Sequence, residues 1–254
     1  MDNKEIDTIV SRVLSALSDD ESPISDEKAV VDKPSYPILR GIRRGEPVLV
    51  TEESLKKAAP KGGTVIVEGR FILTPSAKDF MRKKNISIES VESDAPGGKP
   101  IEQHAEISAA IAIGSDHRGF TLKELFKREL AKSGYRVLDV GTNEPKSCDY
   151  PDFGVAVAQK VSAGEALFGI VIDSAGIGSA MAANKIKGIR AAVCWDETTA
   201  QQARLHNDAN VLCIGADKIA PAKAITMVGK FIETEYVPNE RYDRRIRKIG
   251  ELEM

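Results

Sequence analysis

The sequence is poor in cysteine. Its three cysteines, Cys148, Cys194 and Cys213, form neither a CxxC pair nor the Cys/His spacing of a zinc site. This usage argues against a disulfide framework and a structural zinc, and it suits a reducing cytosol. Apolar runs never approach the roughly 20 residues that span a bilayer, and the first ten residues lack the basic start and apolar core of a secretory signal. Lys and Arg total 36 against 38 Asp and Glu, so no overall charge attracts nucleic acid or an anionic membrane.

The first 17 residues show a helical period. Six apolar residues recur at steps of three and four, namely Ile6, Ile9, Val10, Val13, Leu14 and Leu17. An acidic, Ser- and Pro-bearing stretch without period follows, so residues 18–37 are predicted to be a linker. Because an isolated helix of this length is marginal in water, residues 1–17 either dock on a partner or pack on the next domain.

Residues 38–93 are predicted to form a small α/β module. A strand is predicted at 47–50, followed by a helix that Thr51 caps in a capping box. An extended stretch covers 63–73, a second helix begins at Thr74 and Pro75, and a strand follows at 86–91. The module has no His, no Cys and no Gly-rich phosphate loop, so we expect no chemistry there. Residues 94–108 are predicted to be a second linker.

From residue 109 to 254, short β-rich apolar runs alternate with helical segments. The five predicted strands lie at 109–116, 135–141, 167–173, 189–195 and 210–216. Helices are predicted to begin near Thr121, Pro151, Gly176, Glu197 and Pro221. This alternation predicts an α/β fold with a doubly wound, parallel five-stranded sheet. Ligands bind outside the carboxyl ends of such strands, so function is sought in the residues that follow them.

Two strand ends carry candidate site residues. Asp116 and His117 follow the first strand and offer an acceptor beside a titratable group, although Asp116 could simply cap the next helix. Asp173 ends the third strand and begins a turn of small residues, 174–179, that runs into a helix. Backbone amides in such a turn can face an oxyanion; a plain tight turn is the alternative.

Other candidates lie on the opposite rim of the sheet. His206 and Asn207 precede the fifth strand, so they could reach a strand-end pocket only on another subunit or through a fold-back. This placement favours a site shared at a dimer interface, whereas a His at a helix C-terminus is the simpler interpretation. Five of the eight residues at 241–248 are basic. They could clamp a phosphate or form a solvated helix face.

Five motifs occur in one order along 109–254: 116–120, 149–152, 176–185, 188–191 and 206–210. Together they resemble the type B ribose-5-phosphate isomerase family, which includes the galactose-6-phosphate isomerase subunits. The resemblance implies a Rossmann-like, cytoplasmic homodimer or homotetramer with active sites between subunits. It also implies aldose–ketose isomerisation through an enediolate without a metal or other cofactor. Ribose 5-phosphate and ribulose 5-phosphate are the expected substrates, with a four- or six-carbon sugar phosphate as the alternative.

The resemblance also implies roles for individual residues. Asp116 and His117 would bind substrate hydroxyls or help to open the ring, and Tyr150 would line the pocket. His206 would be the acid that opens the furanose, with Asn207 beside it. The oxyanion would be received by backbone amides of the turn, those of Ser174, Ala175, Gly176, Ile177 and Gly178. Arg241 and Arg245 would hold the phosphate, next to Tyr242 where the family often has a His.

The sequence departs from the family at the proton-transferring base. Most members have Cys-Gly-Thr-Gly where this chain has 173–176, and another branch uses a Glu where this chain has Ser179. Asp173 could replace the thiol as the base, because carboxylates act as bases in other enediolate chemistry. Alternatively, Asp173 marks a shifted substrate, or catalysis is lost and only sugar-phosphate binding remains.

The N-terminal half has a weaker resemblance. A short amphipathic helix followed by a linker is similar to the encapsulation peptides of bacterial microcompartment cargo, and residues 69–80 are similar to segments of shell-associated proteins. This resemblance implies that residues 1–17 bind a shell or cargo partner and that the protein resides inside a microcompartment.

Overall fold

The structure, a computed structural model, describes residues 36–40, 47–91 and 110–253. The predicted helix at 1–17 and the predicted linker at 94–108 lie outside these ranges, as does most of the linker at 18–37. Within the described ranges, no helix combines the length and apolar character needed to cross a bilayer.

The module at the start of the described chain contains two small parallel sheets. Its elements are β1 (Ile38–Arg40), β2 (Val48–Val50), α1 (Glu52–Ala58), β3 (Gly63–Glu68), β4 (Phe71–Leu73), α2 (Pro75–Lys84) and β5 (Ile86–Val91). Strands pair in the orders β1-β3-β5 and β2-β4. The capping box of α1 forms between Thr51 and Ser54. The extended stretch predicted over 63–73 is broken at Gly69, whose φ of 90° suits glycine, so its halves join different sheets.

The second part of the chain alternates strands and helices. Its elements are β6 (Ala110–Ser115), α3 (Phe120–Lys132), β7 (Arg136–Asp139), α4 (Tyr150–Ser162), β8 (Phe168–Asp173), α5 (Ile177–Ala183), β9 (Ala191–Val193), α6 (Glu197–Asn207), β10 (Val211–Gly215), α7 (Pro221–Glu233) and α8 (Glu240–Gly250). The prediction of five strands separated by helices is confirmed.

The five strands form one parallel sheet in the order β7-β6-β8-β10-β9. Every residue of β6, β8 and β10 is buried, which explains their continuous apolar runs. The chain moves outward from β6 to β7 and then returns to β8 on the other side. The direction of winding therefore switches between β6 and β8, where Ser115 pairs with Ile172. The predicted ligand-binding position of such a fold lies at this switch point.

The sheet is covered on both faces. On one face, Ile113, Ile170 and Ile214 pack in a buried cluster with side chains of α3, α6 and α7. On the other face, Val171 and Cys213 pack with side chains of α4 and α5. This arrangement confirms the predicted doubly wound α/β fold.

The module contacts the second part of the chain through β4 and α2. Ile72 of β4 belongs to the same buried cluster as the residues of α3 and α7. Glu233, at the end of α7, accepts a hydrogen bond from the Tyr135 hydroxyl at 2.7 Å and another from the Ser76 hydroxyl at 2.7 Å. Burial and the Glu233 carboxylate raise the pKa of Tyr135 above its usual range, so the phenol stays protonated and donates.

Candidate active site

The turn after β8 is organised around the carboxylate of Asp173, which is 4% exposed. Oδ1 accepts hydrogen bonds from the amides of Ala175, at 2.8 Å, and Gly176. Oδ2 accepts from the amide of Ser179 at 3.1 Å and from its hydroxyl at 2.6 Å. Gly176 adopts φ 80°, and a Cβ there would lie 3.0 Å from the Ile214 carbonyl carbon. The carboxylate therefore fixes the turn through four donors.

This arrangement bears on the predicted oxyanion site, which stays a prediction. The amides of Ala175 and Gly176 donate to Asp173 in this geometry, which counts against them as oxyanion donors. The amides of Ile177 and Gly178 open α5 and have no acceptor within the helix. They remain candidates for that role. The role of Asp173 as the base stays a prediction, and the four donors on its oxygens count against it.

Asp116 lies beside this turn. It does not cap α3 as the simpler interpretation expected, because the N-cap residue is Gly119 and no side chain caps the helix; its carboxylate holds the turn before the helix instead. Its Oδ1 accepts from the amides of Arg118 at 2.9 Å and Gly119 at 3.1 Å. His117 is half-buried, and its Nδ1 accepts a hydrogen bond of 3.3 Å from the Cys148 amide. In the neutral ring the proton is therefore on Nε2, from which it can be donated to a ligand.

Tyr150 packs against the turn from the start of α4. A Cβ on Gly178 would lie 2.4 Å from Tyr150 Cε2, so only glycine allows the ring to approach this closely. The ring is nevertheless 42% exposed. Tyr150 thus lies next to the amide of Gly178, where the predicted pocket wall would be.

An ion pair at the same edge was missed by the sequence reasoning. Arg118 donates to Asp217 Oδ2 from both Nε, at 3.3 Å, and Nη2, at 2.7 Å. Its hydrogen bond and charge lower the pKa of Asp217. Asp217 follows β10, so the rule of searching after each strand would have found it. The pair ties the loop after β6 to the turn after β10 across the switch point.

The predicted acid lies on the opposite rim. His206 is in the last turn of α6, which leads into the amino end of β10. Its ring stacks on Tyr242 of α8 at 4.8 Å between centroids. Arg241 Nη2 donates to the Tyr242 hydroxyl at 2.7 Å, and Arg245 is exposed on the same helix.

The loop of His206 and Asn207 is held by a buried charge network around Asp208. Arg204 is 4% exposed and donates to Asp208 Oδ1 at 2.8 Å. Arg190 donates to Asp208 Oδ2 at 2.7 Å and to the Asn207 carbonyl at 3.2 Å. Asp208 itself has φ 46°, a left-handed conformation that Asp tolerates better than most residues. The motifs at 188–191 and 206–210 therefore meet in this network.

The candidate residues thus form two groups within one chain. Asp116, His117, Tyr150 and the turn after Asp173 lie at the carboxyl edge of the sheet, whereas His206 and α8 meet at the amino edge. Within the described residues, no group of three or more His, Cys, Asp or Glu side chains could hold a metal ion.

Comparison with known proteins shows which family the second part of the chain resembles. Residues 111–249 match the family model described as Ribose/Galactose Isomerase, which is more than half of the chain. The chain belongs to the Ribose/Galactose Isomerase family. The match begins at residue 111, so it does not include the module.

Individual relatives agree with the family assignment. The chain is 38% identical over 144 residues to ribose-5-phosphate isomerase B of Mycolicibacterium paratuberculosis, covering 56% of this chain and 91% of that protein. It is 43% identical over 143 residues to galactose-6-phosphate isomerase subunit LacA 2 of Streptococcus pyogenes, covering 56% and 99%. The solved ribose-5-phosphate isomerase B of Clostridium thermocellum is similar with a TM-score of 0.56 and 45% identity, covering 57% and 97%.

Proposed function

We propose that this protein is an aldose–ketose isomerase that interconverts ribose 5-phosphate and ribulose 5-phosphate through an enediolate. One observation carries the proposal. The switch point of the sheet brings together two carboxylates, a half-buried histidine and the opening amides of α5, which have no acceptor within the helix. This set contains the acid, base and anion-binding groups that such a reaction needs. The names of the relatives favour the same class of substrate.

The proposed site is completed by a second copy of the chain. His206, Asn207, Arg241 and Arg245 are proposed to open the sugar ring and bind the phosphate, but they lie at the opposite rim from Asp116 and His117. A two-fold dimer can bring the amino edge of one protomer to the carboxyl edge of its partner. Exposed apolar side chains near the turn, Ile177 at 53% and Met181 at 64%, would gain cover in such an interface.

A six-carbon sugar phosphate is the second candidate substrate. The relative from Streptococcus pyogenes is named as a subunit of galactose-6-phosphate isomerase, and it is 43% identical to this chain. Isomerisation of either sugar requires the same transfer between C1 and C2, so the two candidates differ only in the length of the pocket.

Incubation with candidate sugar phosphates in deuterated water tests this function. Ribose 5-phosphate should gain deuterium at C2 and yield ribulose 5-phosphate, faster than galactose 6-phosphate or a four-carbon phosphate. Faster labelling of galactose 6-phosphate would favour the second candidate. Absence of labelling in all three would contradict the isomerase proposal and favour a sugar-phosphate-binding protein without catalysis.

We also propose that residues 1–17 direct the protein to the shell or cargo of a bacterial microcompartment. The six apolar residues at helical spacing support a docking face. Deleting residues 1–17 should leave the kinetics intact and abolish co-purification with shells. Unchanged co-purification would refute the targeting role.

A further inference from the structure

A carboxylate that transfers a proton needs an oxygen whose lone pairs are not committed to protein donors. An ionised carboxylate offers about four acceptor positions, and Asp173 uses them for the four donors of its own turn. Ser179 cannot take over, because it is fully buried and its hydroxyl donates to Asp173. Asp173 and Ser179 occupy the two positions at which the family was expected to carry its base. In this arrangement neither residue offers a free base.

The carboxylate of Asp116 is held on one side only. Both of its hydrogen bonds, from the amides of Arg118 and Gly119, end on Oδ1, and Oδ2 has no hydrogen-bond partner in the part of the chain that the structure describes. In that part, the one buried side-chain polar atom without a partner is Ser115 Oγ, so Asp116 Oδ2 is not enclosed. Two amides therefore fix the orientation of the carboxylate, while its second oxygen keeps a narrow exposure in a residue that is 5% exposed as a whole.

Asp116 also lies close to the turn after β8. Its amide donates to the Ile172 carbonyl at 3.3 Å, and a Cβ on Gly119 would lie 2.4 Å from the same oxygen. The loop that carries Asp116 thus packs directly on the end of β8. Neighbouring strands are about 4.8 Å apart, so a substrate bound over the turn lies within reach of a base one strand away.

His117 places a proton donor next to this carboxylate. Its Nδ1 is occupied by the Cys148 amide, so the neutral imidazole carries its proton on Nε2 and can serve a sugar oxygen. An enediolate reaction needs such a pair, since one group moves the proton between carbons and the other moves it between oxygens.

We propose that Asp116 Oδ2, rather than Asp173, transfers the proton between C1 and C2, a role that rests on the isomerase function proposed above. Oδ2 takes the C2 proton, and the C2–H electron pair forms the C1–C2 double bond. The displaced carbonyl pair on O1 takes the Nε2 proton of His117. His117 then recovers a proton from O2 as the C2 carbonyl forms, and Asp116 delivers its proton to C1. The cycle balances without an external oxidant or reductant.

Deuterium exchange at C2 of ribose 5-phosphate in deuterated water tests the assignment. Asp116→Asn keeps an acceptor for both amides but is not basic, so exchange should fall by about 10³-fold while the sugar phosphate still binds in calorimetry. Asp173→Asn should lower stability and weaken binding but leave measurable exchange at saturation. Asp152→Asn, an exposed carboxylate in the first turn of α4, is the matched control and should keep the parent rate.

A second variant keeps the test possible if Asp116→Asn does not fold. Asp116→Ala opens space for an added carboxylate, so formate should restore part of the exchange. The proposal is overturned if Asp116→Asn exchanges within about tenfold of the parent, or if formate restores nothing in folded Asp116→Ala. It is also overturned if Asp173→Asn binds substrate but loses exchange. An unmodified protein that labels no sugar phosphate contradicts the isomerase function itself, which is a separate result.

Discussion

The Ser179 hydroxyl is fully buried and donates to Asp173, and this bond gives a direct test of the turn. Ser179→Ala should lower the free energy of unfolding by about 1.5–3 kcal/mol, because a buried carboxylate loses one hydrogen bond. Urea denaturation measures the loss. Ser162→Ala is the control, since the Ser162 hydroxyl is exposed and donates to the Lys187 carbonyl. An effect at Ser179 no larger than that at Ser162 would mean that the turn does not depend on this bond.

The three cysteines should differ sharply in reactivity. Burial raises the pKa of the Cys194 thiol to about 11, and it raises that of Cys213 as well. Cys148 is partly exposed. A disulfide reagent at neutral pH should therefore modify Cys148 quickly and the other two only after unfolding, because the thiolate is the reactive form. Rapid modification of two or three thiols in the folded protein would contradict the described burial.

The sequence could locate the candidate residues but not their hydrogen bonds. Asp116 and Asp173 were found because the carboxyl ends of neighbouring parallel strands meet at one edge of a sheet. The same rule applies to Asp217, which was overlooked. Whether a strand-end carboxylate faces a ligand or caps its own turn depends on the φ and ψ angles of the following residues. The stacking of His206 on Tyr242 depends on how α8 returns to α6, which no local pattern specifies.

At the level of elements, a cluster of charges joins α3 to β7. Lys123 is fully buried and lies 2.6 Å from Asp139 Oδ2, which Lys127 also contacts at 2.6 Å. Burial alone would raise the pKa of Asp139, but hydrogen bonds from both lysines and the Gly141 amide outweigh it and lower the pKa. In acid the unfolded chain therefore binds more protons at this site than the folded chain does. The contribution of Asp139 to folding stability is fully present above its unfolded pKa of about 3.9 and is lost as the pH falls through its lower folded pKa.

Asp139→Asn should reveal this dependence on pH. The variant should be less stable than the parent at neutral pH, and the difference should shrink as the pH falls through the lowered pKa of the folded protein. Urea denaturation over a series of pH values measures it, with Glu129→Gln, from an exposed ion pair with Lys132, as the control. A difference that stays constant with pH would exclude the ion pairs as its origin.

The turn between α6 and β10 should depend on Asp208. Asp208→Ala removes the shared partner of Arg190 and Arg204 and places alanine at φ 46°, so it should cost about 3–5 kcal/mol. Asp208→Asn keeps an acceptor and tolerates the left-handed conformation, so it should cost less. Thermal or urea unfolding compares the two variants. Equal losses would indicate that charge alone, and not the backbone conformation, stabilises the turn.

Helix and strand positions were predictable where the signals are local. The helices at 197–207 and 221–233 begin at the residues predicted, because an Asp cap precedes one and a proline opens the other. The sheet order was not predictable in detail, because five apolar strands with similar patterns can be arranged in several orders. The break at Gly69 was missed because the residues on both sides favour extended backbone.

On the scale of the whole molecule, Glu233 connects the module with the α/β part of the chain. Glu233→Ala removes the acceptor of Tyr135 and Ser76, and each lost bond to a charged group contributes about 1.5–3 kcal/mol. Amide hydrogen exchange over Pro75–Lys84 should therefore accelerate at least about tenfold, while isomerase activity remains. Glu165→Ala, which removes an exposed partner of Lys160, should leave that exchange unchanged. Equal rates of amide exchange over Pro75–Lys84 in both variants would show that Glu233 does not hold the module.

The membership of Ile72 in the cluster beneath α3 and α7 bears on how the chain can be shortened. Removing the residues before 110 would remove Ile72 and expose apolar surface around Phe126 and Val228. The isolated second part of the chain would therefore aggregate more readily than the full protein. Polar substitutions on this exposed surface would be needed to keep a shortened enzyme soluble and monodisperse.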